Sequence, residues 1–219
     1  MNYADLSKAI QEYTETYEQV FVENIPTFVK QAEERIYNTV QIPALRRNVT
    51  GTVTTGNSYL SCPNDFLSVF SMAVVLPTGA YEYLLNKDVN FIRQAYPTPT
   101  DIGVPKYYAL FGSQLSYPKE LSFILGPTPS ANYTVELHYF YYPESITTAG
   151  TSWLGDNYSP ALLYGSLREA VIFQKGEQDM VAYYEKMYQE ALQQLNRLGT
   201  GLERGDAYRD GQAKIKVNP

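Results

Sequence analysis

Hydrophobic residues recur at helical spacing near both ends of this chain, whereas the stretch between them alternates like β-strands. Two helical stripes fall within residues 1–46 and two more within residues 158–199. Each such helix has to bury an apolar face against another element. The pattern predicts an α+β fold in which the N- and C-terminal helix pairs form a four-helix lobe. A mostly antiparallel β lobe, residues 47–157, is inserted between them, and residues 200–219 form an extended C-terminal tail.

The predicted helix boundaries rest on proline, glycine and capping residues. Pro26 fits the first position of the second helix, because a proline there loses no helical hydrogen bond. Ser159 is expected to cap the third helix and Gly176 to end it. The fourth helix is expected to stop at Gly199 and Gly201.

The β lobe is predicted from alternating segments separated by turn residues. A Gly-Asn turn joins the first short strands, and residues 67–76 form a longer strand with residues 81–85 as its hairpin partner. Residues 86–96 have helical spacing and predict one short helix. Four strand-like segments follow within residues 106–143, and residues 144–157 are predicted to be a loop.

Composition and charge disfavour several classes of function. Hydrophobic residues make up 44% and charged residues 18%, as in folded globular proteins, and no apolar run approaches the roughly 20 residues of a membrane span. The N-terminus lacks a signal sequence, which predicts synthesis in a cytoplasm. The formal net charge of -6 has the wrong sign for a protein that grips nucleic acid through its phosphates. We expect no cofactor and no membrane partner.

The chain offers few groups for catalysis. It lacks the motifs of a nucleophile elbow, a P-loop or a dinucleotide site. Its one cysteine, Cys62, and one histidine, His138, exclude a disulfide framework and disfavour zinc and redox chemistry. A Cys62–His138 pair or a glycosidase-like pair of Glu120 and Glu136 has no distinguishing surroundings. We therefore expect no enzyme and no metal site.

Tyrosine is unusually frequent, with 21 residues in the chain. Tyrosine suits interfaces that are dry on one side and wet on the other, and it is also favoured in β-strands. Both interpretations stay open. The C-terminal "AKIKV" likewise has two interpretations, a strand that joins the sheet edge of another chain or a frayed terminus.

Several segments in succession resemble a known family. They are "IPTFVKQAEERIYNTVQIPALRRNVTGTVTTGNSYLSCPNDFLSV", "GVPKYYALFGSQLSY", "YTVELHYFYYP" and "TSWLGDNYSPALLYGSLREAVIF". Together they are similar to the head-to-tail adaptors of tailed bacteriophages, the tail tubular protein A-like group. The likeness runs from about residue 25 to residue 198, and it rests on the order of the segments because no single motif is strict.

This resemblance implies a structural protein of the virion, located at the junction of portal and tail and made in the host cytoplasm. About twelve copies would form a closed ring that joins the portal to the tail nozzle or tube and continues the DNA channel. DNA would pass through the channel without specific binding. The resemblance also implies that the end of the C-terminal tail contacts the portal. This segment consists of Lys214, Ile215, Lys216, Val217, Asn218 and Pro219.

Within such a ring, the third and fourth helices would serve two further contacts. Small and bulky residues on the third helix are expected to pack against its own bundle and a neighbouring subunit: Tyr164, Gly165, Leu167 and Ala170. Acidic residues are expected to face the lumen, where negative potential lets DNA slide, or else to form a solvated helix surface: Asp156, Glu177, Asp179 and Glu185. The alternatives to a ring-forming adaptor are a virion-associated cell-wall glycosidase and a virion binding module that forms no ring.

Overall fold

The structure is a computed structural model that describes residues 1–112 and 121–207, with side chains as far as Leu202. In chain order the helices are α1 (Tyr3–Thr14), α2 (Gln19–Thr39), α3 (Val89–Ala95), α4 (Ile146–Ala149), α5 (Trp153–Asn157), α6 (Ser159–Phe173) and α7 (Gln178–Ala207). The strands are β1 (Arg46–Val53), β2 (Tyr59–Ser61), β3 (Phe66–Val75), β4 (Tyr81–Tyr83), β5 (Leu85–Asn86), β6 (Ile102–Gly103), β7 (Tyr107–Phe111), β8 (Ser122–Gly126), β9 (Thr128–Pro129) and β10 (Tyr133–Tyr141). The predicted α+β class is confirmed.

The chain divides into two compact units. Met1–Leu45 and the residues from Pro143 onward form a helical unit, and Arg46–Tyr142 form a β unit. Residues 144–157, predicted to be a loop, carry α4 and α5 and belong to the helical unit. Ser145 and Ser152 cap these two short helices through their side chains, a signal that the sequence already contained.

Helix α6 is the centre of the helical unit, because it contacts α1, α2 and α7. Its apolar residues and small residues are buried around most of its circumference, as its sequence predicts. Gly165 lies where α2 and α7 come close. A Cβ atom on this residue would lie 3.0 Å from the Ala32 Cβ and 3.1 Å from the Tyr188 Cε2. The absence of a side chain at Gly165 thus sets the spacing of three helices.

Two predicted helix starts and one predicted helix end are wrong. Helix α2 begins at Gln19, seven residues before Pro26, because burial of Phe21 and Ile25 outweighs the hydrogen bond that an internal proline removes. Helix α6 begins at Ser159 itself, with Tyr158 in the cap position and no side-chain cap bond. At its other end α6 stops at Phe173, Lys175 takes the left-handed conformation, and the chain leaves the helix at Gly176 as predicted.

Gly176 closes the last turn of α6 and lies against a residue of that turn. Its N–H donates to the Val171 carbonyl at 3.0 Å, and a Cβ atom there would lie 2.6 Å from the Val171 Cγ1. Helix α7 in turn runs through Gly199 and Gly201 to Ala207. Gly199 packs near Ile42, which offsets part of the cost of a glycine inside a helix. The tail therefore begins as helix and is not extended from residue 200.

The β unit contains two four-stranded sheets and a two-stranded parallel pair. The first sheet has the strand order β1-β10-β3-β4, the second has the order β2-β8-β7-β5, and β6 pairs with β9. Strand β4 is the predicted hairpin partner of β3. Strands β1 and β2 lie in different sheets, so the turn at Gly56 does not close the predicted hairpin. The two strands instead pair with strands farther along the chain, β1 with β10 and β2 with β8.

The inner faces of the two sheets share one hydrophobic core. Phe66 of the first sheet meets Phe123 of the second edge to face, with ring centroids 5.5 Å apart, and Tyr139 stacks on Phe66 at 5.9 Å. Helix α3 covers the other side of the second sheet, where Ile92 packs against Ala109 and Ile124. The predicted segment at residues 113–117 lies outside the described residues.

The packing of Gly165 makes a testable prediction. Gly165→Val would force bulk between α2 and α7 and should lower the free energy of unfolding by about 1–3 kcal/mol. Gly201→Val is the matched control, because nothing lies within 4 Å of its Cβ position, and it should change stability by less than about 0.5 kcal/mol. Urea unfolding measures both. Equal effects at the two sites would contradict the close packing of α6.

Candidate interaction surfaces

A polar network lies on the outer face of the first sheet, the face turned away from the β-unit core. The Asn48 amide donates to the Glu136 carboxylate at 2.7 Å, and the His138 Nδ1 and Ser71 Oγ are 3.2 Å apart. The His138 Nε2 lies 3.7 Å from the same carboxylate. The charge of Glu136 and its hydrogen bond raise the pKa of Tyr81. The network joins all four strands of the sheet.

The order Ser71, His138, Glu136 has the residue types of a hydrolase triad but not its setting. Ser71 lies within the β3–β10 ladder and not on the sharp strand-to-helix turn that exposes a hydrolase nucleophile, and the N–H groups of β10 are used in its pairing with β1 and β3. The His138 side chain is 40% exposed on an open sheet face. The arrangement therefore stabilises strand pairing and presents a polar surface. Sequence alternation in "VELHY" indicated this face, but not its partners on β1, β3 and β4.

The structure does not bring Cys62 and His138 together. Cys62 lies in the core between the sheets, where burial raises the pKa of its thiol to about 12 and keeps it protonated. His138 projects from the outer face of the first sheet. Of the glycosidase-like pair, Glu136 accepts the Asn48 hydrogen bond described above, and Glu120 lies outside the described residues.

The four residues expected to pack subunits together have unequal exposure. Gly165, Leu167 and Ala170 are buried inside the helical unit, so the chain's own helices occupy them. Tyr164 is half-buried and lies near Tyr13 and Tyr183. Burial is the main cause of its raised pKa, and the charges of the two neighbouring tyrosines raise this pKa further. Only Tyr164 of this set keeps surface for a second chain.

Tyrosine side chains form an exposed patch at α1, α6 and α7. Tyr13 and Tyr183 are each 54% exposed, and Tyr183 meets the buried Tyr184 edge to face at 5.4 Å. This patch and the exposed ring of Tyr83 on β4 support the interface interpretation of tyrosine, because exposed aromatic surface contributes little to the stability of its own unit. Tyr81 is also exposed, but it belongs to the polar network of the first sheet.

The acidic residues expected to face a lumen also differ from one another. Asp156, Glu177 and Asp179 are exposed. Glu185 forms an ion pair with Arg168, which also contacts Glu169 at 2.7 Å. The negative charge of Glu185 is thus partly neutralised within the helical unit.

The network continues from Glu169 to Arg35 on α2 at 2.7 Å, so ion pairs link α2, α6 and α7. Tyr188 of α7 is buried beside these charges, and burial raises its pKa to about 12. Within the part of the chain that the structure describes, no group of three or more His, Cys, Asp and Glu side chains gathers as metal ligands. None of the described helices has the length and hydropathy of a membrane span.

Comparison with known families decides what kind of protein carries these surfaces. The family model of the SU10 adaptor protein matches residues 1–213. The chain belongs to the SU10 adaptor protein family. This is a family of phage head-to-tail adaptors, so the resemblance to tailed-phage adaptors is confirmed, and the family role is structural. A search of curated proteins finds no significant match.

Among the described side chains, the adaptor has one buried carboxylate that sequence reasoning missed. Glu33 of α2 is 3% exposed, and its Oε1 accepts a hydrogen bond from the Ile146 N–H at 2.9 Å. The carboxylate thereby holds the first turn of α4, where the chain has just returned from the β unit. Burial raises the pKa of Glu33 above its ordinary 4.5, although this backbone bond and Ser145 oppose the shift.

The raised pKa predicts how stability depends on pH. The folded adaptor binds a proton at Glu33 more tightly than the unfolded chain does, so the contribution of Glu33 is fully present below pH 4.5 and is lost as pH rises through the folded pKa. Glu33→Gln keeps the acceptor for Ile146 without ionising. Its stability relative to the natural protein should therefore increase as pH rises from 4.5 towards neutrality, as measured by urea unfolding across pH.

Glu33→Ala is the control, because it leaves the buried Ile146 N–H without its acceptor and should destabilise the adaptor throughout this range. A difference between Glu33→Gln and the natural protein that stays constant with pH would contradict the proposed ionisation.

Proposed function

We propose that copies of this adaptor, about twelve of them, form a ring that joins the portal to the tail nozzle or tube and continues the DNA channel. The observation that carries this proposal is the family match over residues 1–213. A ring subunit needs separate surfaces for two neighbours and for the rings above and below it. The exposed tyrosine patch of the helical unit and the exposed rings on β4 are surfaces of this kind.

The proposed portal contact lies in the tail. Helix α7 extends to Ala207, and Lys214, Ile215, Lys216, Val217, Asn218 and Pro219 lie outside the described residues. The alternation of Ile215 and Val217 with two lysines supports a contact in which an extended segment joins an edge of the portal. The helical unit buries its core without these residues, so we expect it to fold in their absence.

Sedimentation of the adaptor alone and with the portal from the same genome tests the proposal. We expect one larger species with the portal, visible as stacked rings by electron microscopy. Separate sedimentation of the two proteins over a range of protein and salt concentrations would contradict a role at the junction. The chain would then share the fold of its family without this function.

Deletion of residues 208–219 should preserve the thermal unfolding midpoint, because the described helices bury their apolar faces against one another, and should weaken binding to the portal if the tail makes that contact. Ile215→Asp with Val217→Asp should weaken binding about as much. The matched control is Lys214→Gln with Lys216→Gln, which keeps the apolar positions and tests the charge alone. Unchanged affinity of the deleted protein, measured by titration with portal rings, would exclude the tail as the portal contact.

We further propose that Asp156, Glu177, Asp179 and Glu185 face the lumen. The net charge of -6 supports a channel wall that repels DNA phosphates. Because Arg168 pairs with Glu185 and the N-terminal ammonium group of Met1 lies 4.0 Å from Asp156, Glu177 and Asp179 would contribute most of the negative potential.

Charge reversal tests this arrangement. Rings of the Glu177→Lys, Asp179→Lys variant should retain duplex DNA in a filter-binding assay, with affinity that falls as salt rises. The control carries the same change of charge at the C-terminal end of α1, Glu12→Lys in the helix with Glu15→Lys directly after it. Equal DNA retention by both variants would show that position in the ring does not matter and would contradict the lumen assignment.

A further inference from the structure

The first sheet has an edge strand with few of the usual protections. Among the described residues, β1 pairs with β10 along one side and with no strand along the other. Arg47–Thr52 are all exposed, and the register with β10 continues without a bulge over eight residues. Natural edges of this length are shortened, bulged, interrupted by lysine or proline, or given inward-pointing charges. Strand β1 has one such charge, Arg47 near its start, and Asn48–Val53 contains only valine, threonine, asparagine and glycine. Such an edge is a template for another strand.

The opposite edge of the same sheet is β4. Leu76 donates to the Ala80 carbonyl and Leu84 to the Met72 carbonyl, so the even-numbered residues of this segment bond to β3. By the alternation of antiparallel pairing, Tyr81 and Tyr83 direct their N–H and C=O groups away from the sheet. The same alternation, carried across the registers of β3 and β10, directs the backbone groups of Asn48 and Thr50 outward from β1.

Strands β1 and β4 have the directions and side-chain faces that would let them pair between two copies of the chain. The four strands of the sheet alternate in direction, so β4 and β1 are antiparallel to each other. A β4 strand from a second copy would thus lie antiparallel beside β1. On both edges the outward backbone groups belong to residues whose side chains lie on the outer face, so a shared ladder keeps outer faces continuous.

The charges at the two edges are also complementary. Arg47 on β1 and Glu82 on β4 both have side chains on the inner face of the sheet. If Tyr83 of one copy lies opposite Asn48 of the next, Glu82 becomes a diagonal neighbour of Arg47, within reach of a long side chain. The Arg47 guanidinium bonds Asp65 through one nitrogen at 2.7 Å and has further donors available for a second carboxylate.

We propose that β4 of one adaptor copy pairs with β1 of the next, so that the first sheets of neighbouring copies form one continuous antiparallel sheet around the ring. The inference rests on the proposed ring and identifies one of its subunit contacts. The contact is head to tail, since it joins two different edges, and therefore permits closure into a ring. It also places the Tyr83 ring beside Asn48 of the neighbour.

Proline substitution on the free side of β1 tests the pairing. Thr50→Pro removes an N–H that points away from β10, whereas Thr50→Val keeps that N–H and the strand propensity. Ring formation by Thr50→Pro should require at least about tenfold higher protein concentration than ring formation by Thr50→Val, as measured by sedimentation, because every subunit contact loses a hydrogen bond. Thermal unfolding of the two variants establishes that both fold. Equal ring formation by the two folded variants would overturn the proposal.

Cross-linking tests the register without proline. In a Cys62→Ser background, Asn48→Cys with Tyr83→Cys should give disulfide-linked ladders beyond the dimer on oxidation, since paired antiparallel residues lie within disulfide range. Asn48→Cys with Ile102→Cys is the control, because Ile102 is 58% exposed but lies outside the first sheet. Ladders equal to the control would overturn the pairing.

The outcomes separate this inference from the proposed function. Absence of rings in the natural protein, with or without portal, would contradict the ring itself. Rings that persist in Thr50→Pro while portal binding is lost would assign the β1 edge to the portal and overturn pairing between copies. Rings that persist with full portal binding would leave the adaptor role intact and place the subunit contact elsewhere.

Discussion

The contact of α6 with three other helices is the interaction on which the helical unit depends. This helix brings together segments from both ends of the chain, since α1 and α2 precede the β unit and α7 follows α6. Gly165 allows α2 and α7 to approach, and the ion pairs from Arg35 through Glu169 and Arg168 to Glu185 cross the same three helices. Without this contact neither terminal pair would bury its apolar stripe.

Strand β10 has the corresponding role in the β unit. It lies between β1 and β3 and bonds both of them over most of its nine residues. Its inner side chains enter the shared core, and its outer side chains, Glu136 and His138, hold the polar network. One long alternating strand thereby supplies both the hydrophobic core and the polar surface, which is the usual division of an antiparallel sheet with one solvated face.

Periodicity predicted the elements better than it predicted their ends. The helix pairs, the short helix α3 and the β3–β4 hairpin follow from local spacing of apolar residues, which the structure preserves. Pro26 and Gly199 misled because local propensity costs about 1–3 kcal/mol and tertiary burial outweighs it, as the burial of Phe21 shows. The pairing of β1 with β10, the bond from Ile146 to Glu33 and the open edge of β1 join or expose residues far apart in sequence, so no local pattern contains them.

The chain enters the β unit and leaves it at two points that lie side by side. Arg46, the first residue of β1, pairs with Phe140 near the end of β10, so the two ends of the inserted unit lie side by side. An insertion with neighbouring ends imposes on its host only the entropy cost of closing a short loop. The β unit can therefore be inserted into the helical unit at little cost to the stability of the helices. Replacement of Arg46–Tyr142 at the Leu45 and Pro143 boundaries would change the β surface and leave the core of the helical unit intact.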